Sequence, residues 1–201
     1  MDLRDSLYWW AVDAKRIETG EGFETILRGI KGKVWDIGCN VGLFTLYAAS
    51  QGNQVTAFDL SPKAIRLLQK SADRNGFRIE TVSRAFSTTS FSYTPPADAD
   101  TRNQLADSAG GSHTTITFLE AEAKFGTPVF IKMDIEHHET TFLKSVEFRD
   151  WIKTRGIGLL VELHEPHYWD LVWKDVPHVR TDDWHVLFHP PRGGTSGYPI
   201  P

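Results

Sequence analysis

The sequence predicts an α/β protein in one compact unit, with a mostly parallel sheet and helices on both faces. Three observations lead there. Short apolar, β-prone runs ending in acids alternate with segments of helical period, giving β, α, β, α, β over residues 34 to 82. The first run breaks into a turn bracketed by glycines before an apolar helix begins. The whole chain of 201 residues is 40% hydrophobic and 12% aromatic, enough to bury one sizeable core and giving no reason to divide it.

The opening strand is Val34-Trp35-Asp36-Ile37, followed by Gly38-Cys39-Asn40-Val41-Gly42 and a helix from Leu43 to Ser50. A dinucleotide loop requires Gly-x-Gly-x-x-Gly, so that a helix N-terminus holds a pyrophosphate. Here two glycines stand with three residues between them and an acid ahead. That pattern suits a cofactor with a cationic amino group and no phosphate, which is the polar end of S-adenosylmethionine (SAM). Asp36 is expected near the ammonium through water or the turn backbone. Gly38, Cys39, Asn40 and Gly42 form the loop, whose glycines let the chain pass close to the ligand.

The second strand, Gln54 to Phe58, ends at Asp59, about 20 residues past the loop and placed to accept both ribose hydroxyls. Ser61-Pro62 already caps the next helix, which leaves Asp59 for the ligand beside Leu60. That helix runs from Pro62 to Arg74 with Ala64, Ile65, Leu68 and Ala72 on one face, and Asn75-Gly76 stops it. Ile79 to Val82 is the third strand, and the stretch Ser83 to Phe86 after it places Ala85 near the adenine.

Residues 1–32 read as an N-terminal helical extension and 33–201 as the cofactor-binding domain. The extension has two helical patterns, Leu7, Trp10, Ala11 and Ala14, then Phe23, Ile26, Leu27 and Ile30, separated by Gly20 and Gly22. Between short strands at Phe91–Tyr93 and Thr114–Thr117, the segment 94–112 is polar and rich in proline and glycine, and reads as a substrate lid. The tail at 190–194 is expected to be irregular.

The densest polar cluster follows the strand Val129–Met133: Asp134, Glu136, His137, His138 and Glu139. Strand alternation puts Asp134 and Glu136 on one side, and a helix starting near His138 carries Phe142, Leu143 and Val146. The strand Gly158 to His164 brings Glu162 and His164 to the same rim, and one more strand covers Trp184 to Phe188. Asp134, Glu136, Glu162 and His164 are the candidate catalytic residues. Histidine, with an ordinary pKa of about 6.5, is the better base at neutral pH unless burial raises a carboxylate into range. The same cluster suits a divalent metal, a second option rather than the favoured one.

The loop Asp36-Ile-Gly-Cys-Asn-Val-Gly42, the run Ile131-Lys-Met-Asp-Ile-Glu136 with Glu139 three residues later, and Val161-Glu-Leu-His164 together resemble the FkbM family of methyltransferases. His137 stands where that family's pattern has a glycine. The resemblance implies a class I (Rossmann-like) methyltransferase fold, SAM as methyl donor, and most often a hydroxyl acceptor on a sugar, polyketide or similar small metabolite.

The formal charge of -4 argues against a large nucleic-acid footprint. The alternatives are an RNA ribose 2'-O-methyltransferase, suggested by Lys132 with Asp134 and Glu136, and an inactive methyltransferase fold used for binding. The single cysteine, Cys39, excludes an internal disulfide, and no apolar run is long enough to span a membrane. Acids in Met1-Asp2-Leu3-Arg4-Asp5 stand where a signal peptide needs positive charge, so a cytoplasmic protein is expected.

Overall fold

The structure, a computed structural model, describes residues 26–27, 29–97, 105, 110–181 and 183–188. The expected helices before residue 26, residues 98–104 and 106–109 of the expected lid, and the tail at 190–194 lie outside these.

The first half follows the local signals closely. β1 (Lys33–Ile37) leads through the glycine turn into α1 (Leu43–Ser50), then β2 (Gln54–Phe58) and α2 (Pro62–Asn75). The α2 helix is specified at both ends. The Ser61 side chain accepts the Ala64 N–H at the start, and Gly76, at φ 69°, closes it in the left-handed conformation glycine tolerates. Ala64, Ile65, Leu68 and Ala72 form its buried face, as the period predicts.

β3 (Glu80–Val82) begins one residue later than expected. The next stretch is built of short pieces: β4 (Phe86–Ser87), β5 (Ser92–Tyr93), β6 (His113–Thr114) and β7 (Ile116–Thr117). β4 pairs with β7 and β5 with β6, outside the main sheet. α3 (Phe118–Phe125), capped by the Thr117 hydroxyl, leads to β8 (Phe130–Met133). The helix expected near His138 is two helices, α4 (Glu139–Lys144) and α5 (Val146–Arg155), because Ser145 turns extended and caps the second by accepting the Phe148 N–H. β9 (Gly158–Glu162) stops two residues short of His164. A 3₁₀ turn (Pro166–Leu171), β10 (His178–Arg180) and β11 (His185–Phe188) complete the described chain.

The seven main strands lie in the order β3-β2-β1-β8-β9-β11-β10. β3 to β9 run parallel, β11 is antiparallel to β9, and β10 is antiparallel to β11. The chain winds outward from β1 to β3, then returns to β8 on the other side of β1. Ligands of such sheets bind at that switch, beyond the carboxyl ends of the strands.

Alternation divides each strand between two cores. Trp35, Ile37, Ile131, Met133, Leu159 and Val161 face one core, which includes Phe142, Phe148 and Trp151. Val34, Phe130 and Leu160 face the other, against Ile26, Leu27, Phe44 and Ala48. On this second face the residues nearer the carboxyl ends change character: Asp36 and Lys132 are register partners on β1 and β8, and Glu162 ends β9. The sheet therefore has a dry middle and a charged carboxyl end. Among the described residues, no helix is long and apolar enough to cross a membrane.

Candidate active site

The glycine loop is held by its neighbours on both sides. Gly38 and Cys39 donate their N–H groups to the Phe58 carbonyl at 2.9 and 3.0 Å, tying the loop to the end of β2. A Cβ on Gly38, at φ +79°, would stand 1.6 Å from the Asp134 carbonyl oxygen, and one on Gly42 would stand 2.1 Å from Leu68 Cδ1. Gly38 is thus required by the protein's own backbone packing, and Gly42, at φ +88°, is favoured by its left-handed conformation and by the Leu68 side chain against it. The loop after β1 and the loop after β8 touch, and that contact fixes the two halves of the site together.

Asp36 is fully buried beneath the loop and accepts the Thr45 hydroxyl at 2.6 Å. Burial raises its pKa above the usual carboxylate value. Its other oxygen, Oδ1, has no hydrogen-bond partner. Cys39 turns inward, packing with Ala57, Ile65 and Leu68, and burial pushes its thiol well above the ordinary range. Only its backbone can line a ligand.

Asp59 sits where expected, just past β2, but it also works within the protein. Its carboxylate accepts the Asn40 N–H at 2.8 Å and the Ser61 N–H at 2.7 Å, so it joins the loop to the start of α2. Each oxygen keeps lone-pair capacity for a second donor. Burial raises its pKa to about 6; the two N–H bonds oppose the rise, and the charges of Asp36 and Asp134 add to it. Leu60, beside it, is half-buried. Ala85 is buried, its N–H donates to the Tyr93 hydroxyl and its carbonyl accepts from Ile116, so it offers an adenine a surface and no free backbone group.

Beyond β8 the chain turns sharply, with positive φ at Glu136 (50°) and His137 (76°). The turn carries Asp134 and Glu136 to His164, whose Nε2 lies 3.4 Å from Asp134 Oδ1 and 3.5 Å from Glu136 Oε2. It also brings in Glu139, which the sequence marked only as part of the cluster. Glu139 is 0% exposed, its Oε1 accepts the Ile135 N–H at 2.5 Å, and that oxygen lies 3.2 Å from His164 Nδ1. Lys132 is buried on β8 with Nζ 2.8 Å from Asp134 Oδ2. Glu162 is the one predicted rim residue that turns aside, its Oε2 lying 3.4 Å from His185 Nε2.

The charges set each other's states. Burial alone would lower the pKa of Lys132, but the charges of Asp134, Asp36 and Glu162 outweigh it and raise it. Asp134 is held well below the usual carboxylate range despite burial, by Lys132 and His164. Burial also works against protonated His164, yet the carboxylates of Asp134 and Glu139 close beside it raise it to about 11. The imidazole expected to be a base near pH 6.5 is therefore a proton donor in this setting. Burial lifts Glu136 to about 7, helped by Asp134, Glu162 and Glu139 and opposed by His164.

His137 and His138 part company, as adjacent residues must. His137 Nδ1 meets the Tyr168 hydroxyl at 3.1 Å, and His138 Nε2 meets Ser87 Oγ at 3.1 Å. Neither joins the cluster of acids. A cavity of about 440 Å³ bounded by Lys33, Asn53, Gln54 and Arg78 lies at the amino ends of the strands, opposite this chemistry.

Residues 34–101 match the family model of a methyltransferase domain. Among solved structures, the bifunctional kinase-methyltransferase WbdD shares 16% identity at a TM-score of 0.51, over 90% of this chain and 41% of that one. WbdD with the kinase inhibitor LY294002 gives a TM-score of 0.55 at 16% identity, over 90% and 43% of the two chains. An rRNA methylase from Streptococcus thermophilus gives 0.50 at 13%, over 86% and 93%. The chain thus spans about two fifths of the WbdD chains it matches. No curated protein matches the chain in sequence. At these identities the structures establish the fold, a Rossmann-like class I methyltransferase α/β domain. The family match, over a segment that contains the whole β1 loop and Asp59, supports a SAM-dependent methyltransferase domain.

Proposed function

We propose that the protein transfers a methyl group from SAM to a hydroxyl of a small metabolite, such as a sugar or polyketide. The observation that carries this reading is a set of orphaned polar atoms at the carboxyl ends of the strands. Asp36 Oδ1, Asn40 Oδ1 and Ser83 Oγ are buried without hydrogen-bond partners, beside an Asp59 carboxylate with capacity to spare. Such atoms are costly unless a polar ligand satisfies them, and together they fit the ribose and amino-acid ends of the cofactor. Asp59 would accept the ribose hydroxyls, the backbone from Gly38 to Gly42 would pass along the ligand, and Leu60 and Ala85 would flank the adenine.

When bound, the cofactor supplies a methyl on a sulfonium: the methyl–sulfur bond breaks with its electrons kept by sulfur as the acceptor oxygen forms the new bond. The protein must align the acceptor and receive its proton. Glu136 would receive it. Asp134 is tied to Lys132 and Glu139 is sealed, whereas the Glu136 side chain is 23% exposed and lies 3.5 Å from the His164 imidazole. His164 would position it, and the charges of Asp134 and Glu162 would make it a stronger base. The finer likeness to FkbM methyltransferases rests on the run Lys132-Met133-Asp134-Ile135-Glu136 and on Glu139. Lys132, which would serve an RNA ribose reaction, is only 8% exposed and already paired, which favours the small acceptor.

A SAM-dependent transfer assay over a panel of sugars, polyketides and RNA tests this. Methylation of a hydroxyl in the first two groups is the expected result. SAM binding absent by calorimetry would leave only a binding module on a methyltransferase fold.

A further inference from the structure

The acids around His164 outnumber what the protein offers them. Asp134, Glu136 and Glu139 gather beyond the end of β8 with Lys132 as the fixed cation among them, while Glu162, at the end of β9, turns toward His185. One donor atom each from Asp134, Glu139 and His164 lies within 4.8 Å of the other two. Two further atoms in this group are unspent. Glu139 Oε2 is buried in a residue with 0% exposure and has no hydrogen-bond partner, and His164 Nδ1, though close to Glu139 Oε1, is out of line for a hydrogen bond.

We propose that Asp134, Glu139 and His164 form a binding site for a divalent transition ion of the Mn²⁺ or Zn²⁺ kind. The donor set decides the class: two carboxylate oxygens and one imidazole nitrogen, which releases its proton to solvent as the ion takes its place among the acids, are too nitrogen-rich for Mg²⁺ or Ca²⁺ and too oxygen-rich for a thiolate-seeking metal. Ligands at about 2.1 Å from a shared ion stand no more than about 4.2 Å apart, so the three close by roughly half an ångström around it. Their orientation is already supported from behind, since Lys132 occupies Asp134 Oδ2 and the Ile135 N–H occupies Glu139 Oε1. Three protein ligands leave positions open, and Glu136 stands beside them. The ion's role, to polarise the acceptor hydroxyl next to Glu136, rests on the methyltransferase reading; the site itself does not.

Mn²⁺ titration of the full chain, followed by electron paramagnetic resonance and calorimetry, tests the site. One bound ion is expected, with spin-echo modulation from a directly coordinated imidazole nitrogen that disappears in His164→Ala. Glu139→Gln keeps the shape and the Oε1 acceptor, and is expected to weaken Mn²⁺ about tenfold or more. The nitrogen signature is read on the unmodified protein, so the proposal stays exposed even if a variant fails to fold. Absence of a bound ion at millimolar Mn²⁺, or binding with no nitrogen coupling, overturns it. SAM binding and turnover measured on the same sample separate the two ideas. Turnover without Mn²⁺ binding removes the metal site alone, and Mn²⁺ binding without SAM binding removes the methyltransferase reading alone.

Discussion

Asp59 ties folding and cofactor binding to pH in opposite senses. Its pKa is about 6 in the folded protein and about 3.9 in an unfolded chain. A carboxyl whose folded pKa is raised contributes stability that is fully present below pH 4 and is lost as pH rises through 6, so its ionisation costs the free protein about 3 kcal/mol. The cofactor reverses the preference, because ribose hydroxyls donate to the carboxylate and not to the acid. The affinity for SAM should therefore be flat from pH 8 to 7 and fall about tenfold by pH 5, where the free protein holds the proton. The groups facing Asp59 are Asp36 on β1 and Asp134 after β8, whose charges raise it, and the Asn40 and Ser61 N–H groups, which lower it. Asp59→Asn isolates its share: calorimetry between pH 5 and 8 should show weaker binding, by about 1–3 kcal/mol, with the acid-side fall removed. The same slope in wild type and variant would show that Asp59 does not hold the ribose.

Other changes separate packing from chemistry. Gly38→Ala puts a Cβ 1.6 Å from a backbone oxygen at positive φ and should lower thermal stability by about 3 kcal/mol or more; Gly42→Ala meets the movable Leu68 side chain and should cost less, so equal losses would contradict the close loop contact. His137, at φ 76°, should accept glycine within about 1 kcal/mol, whereas His137→Val should lose about 2 kcal/mol, read by denaturant unfolding. Glu136→Gln should lower kcat by about 10² to 10⁴ while the Kd for SAM changes only a few fold; a parallel loss of both would place Glu136 in the cofactor site instead.

What the sequence made legible was what local signals determine. β1, α1, β2 and α2 were readable because an acid-ended apolar run, the glycine turn and the Ser61 and Gly76 caps lie within a few residues of what they specify. α3 was missed because its cap, Thr117, also ends a β-prone run, and β10 because His178–Arg180 becomes a strand only by pairing with β11. Glu139 was underrated for a physical reason: glutamate is rarely buried. Its burial accompanies two consecutive positive-φ residues, Glu136 and His137, of which the sequence hints only at the second, where the FkbM pattern has a glycine. The shift of His164 was equally hidden, since it comes from Asp134 in the turn after β8 and from the buried Glu139 at the start of α4.

The contact of Gly38 with the Asp134 carbonyl explains how one sheet end can carry two separable duties. The β1 loop and Asp59 belong to the half wound toward β3, and the rim of Asp134, Glu136, Glu139 and His164 to the half wound toward β9. The halves meet at the switch between β1 and β8, with backbone against backbone and Lys132 bridging the charges of Asp36 and Asp134. Side chains on either side can change without altering that seam, so substitutions in the rim should reach turnover before cofactor binding. Substitutions in the seam itself should disturb both together. Gly38→Ala and Glu136→Gln therefore probe opposite ends of one arrangement. If the alanine variant stays folded, it should lose SAM affinity and turnover in parallel, while Glu136→Gln loses turnover alone.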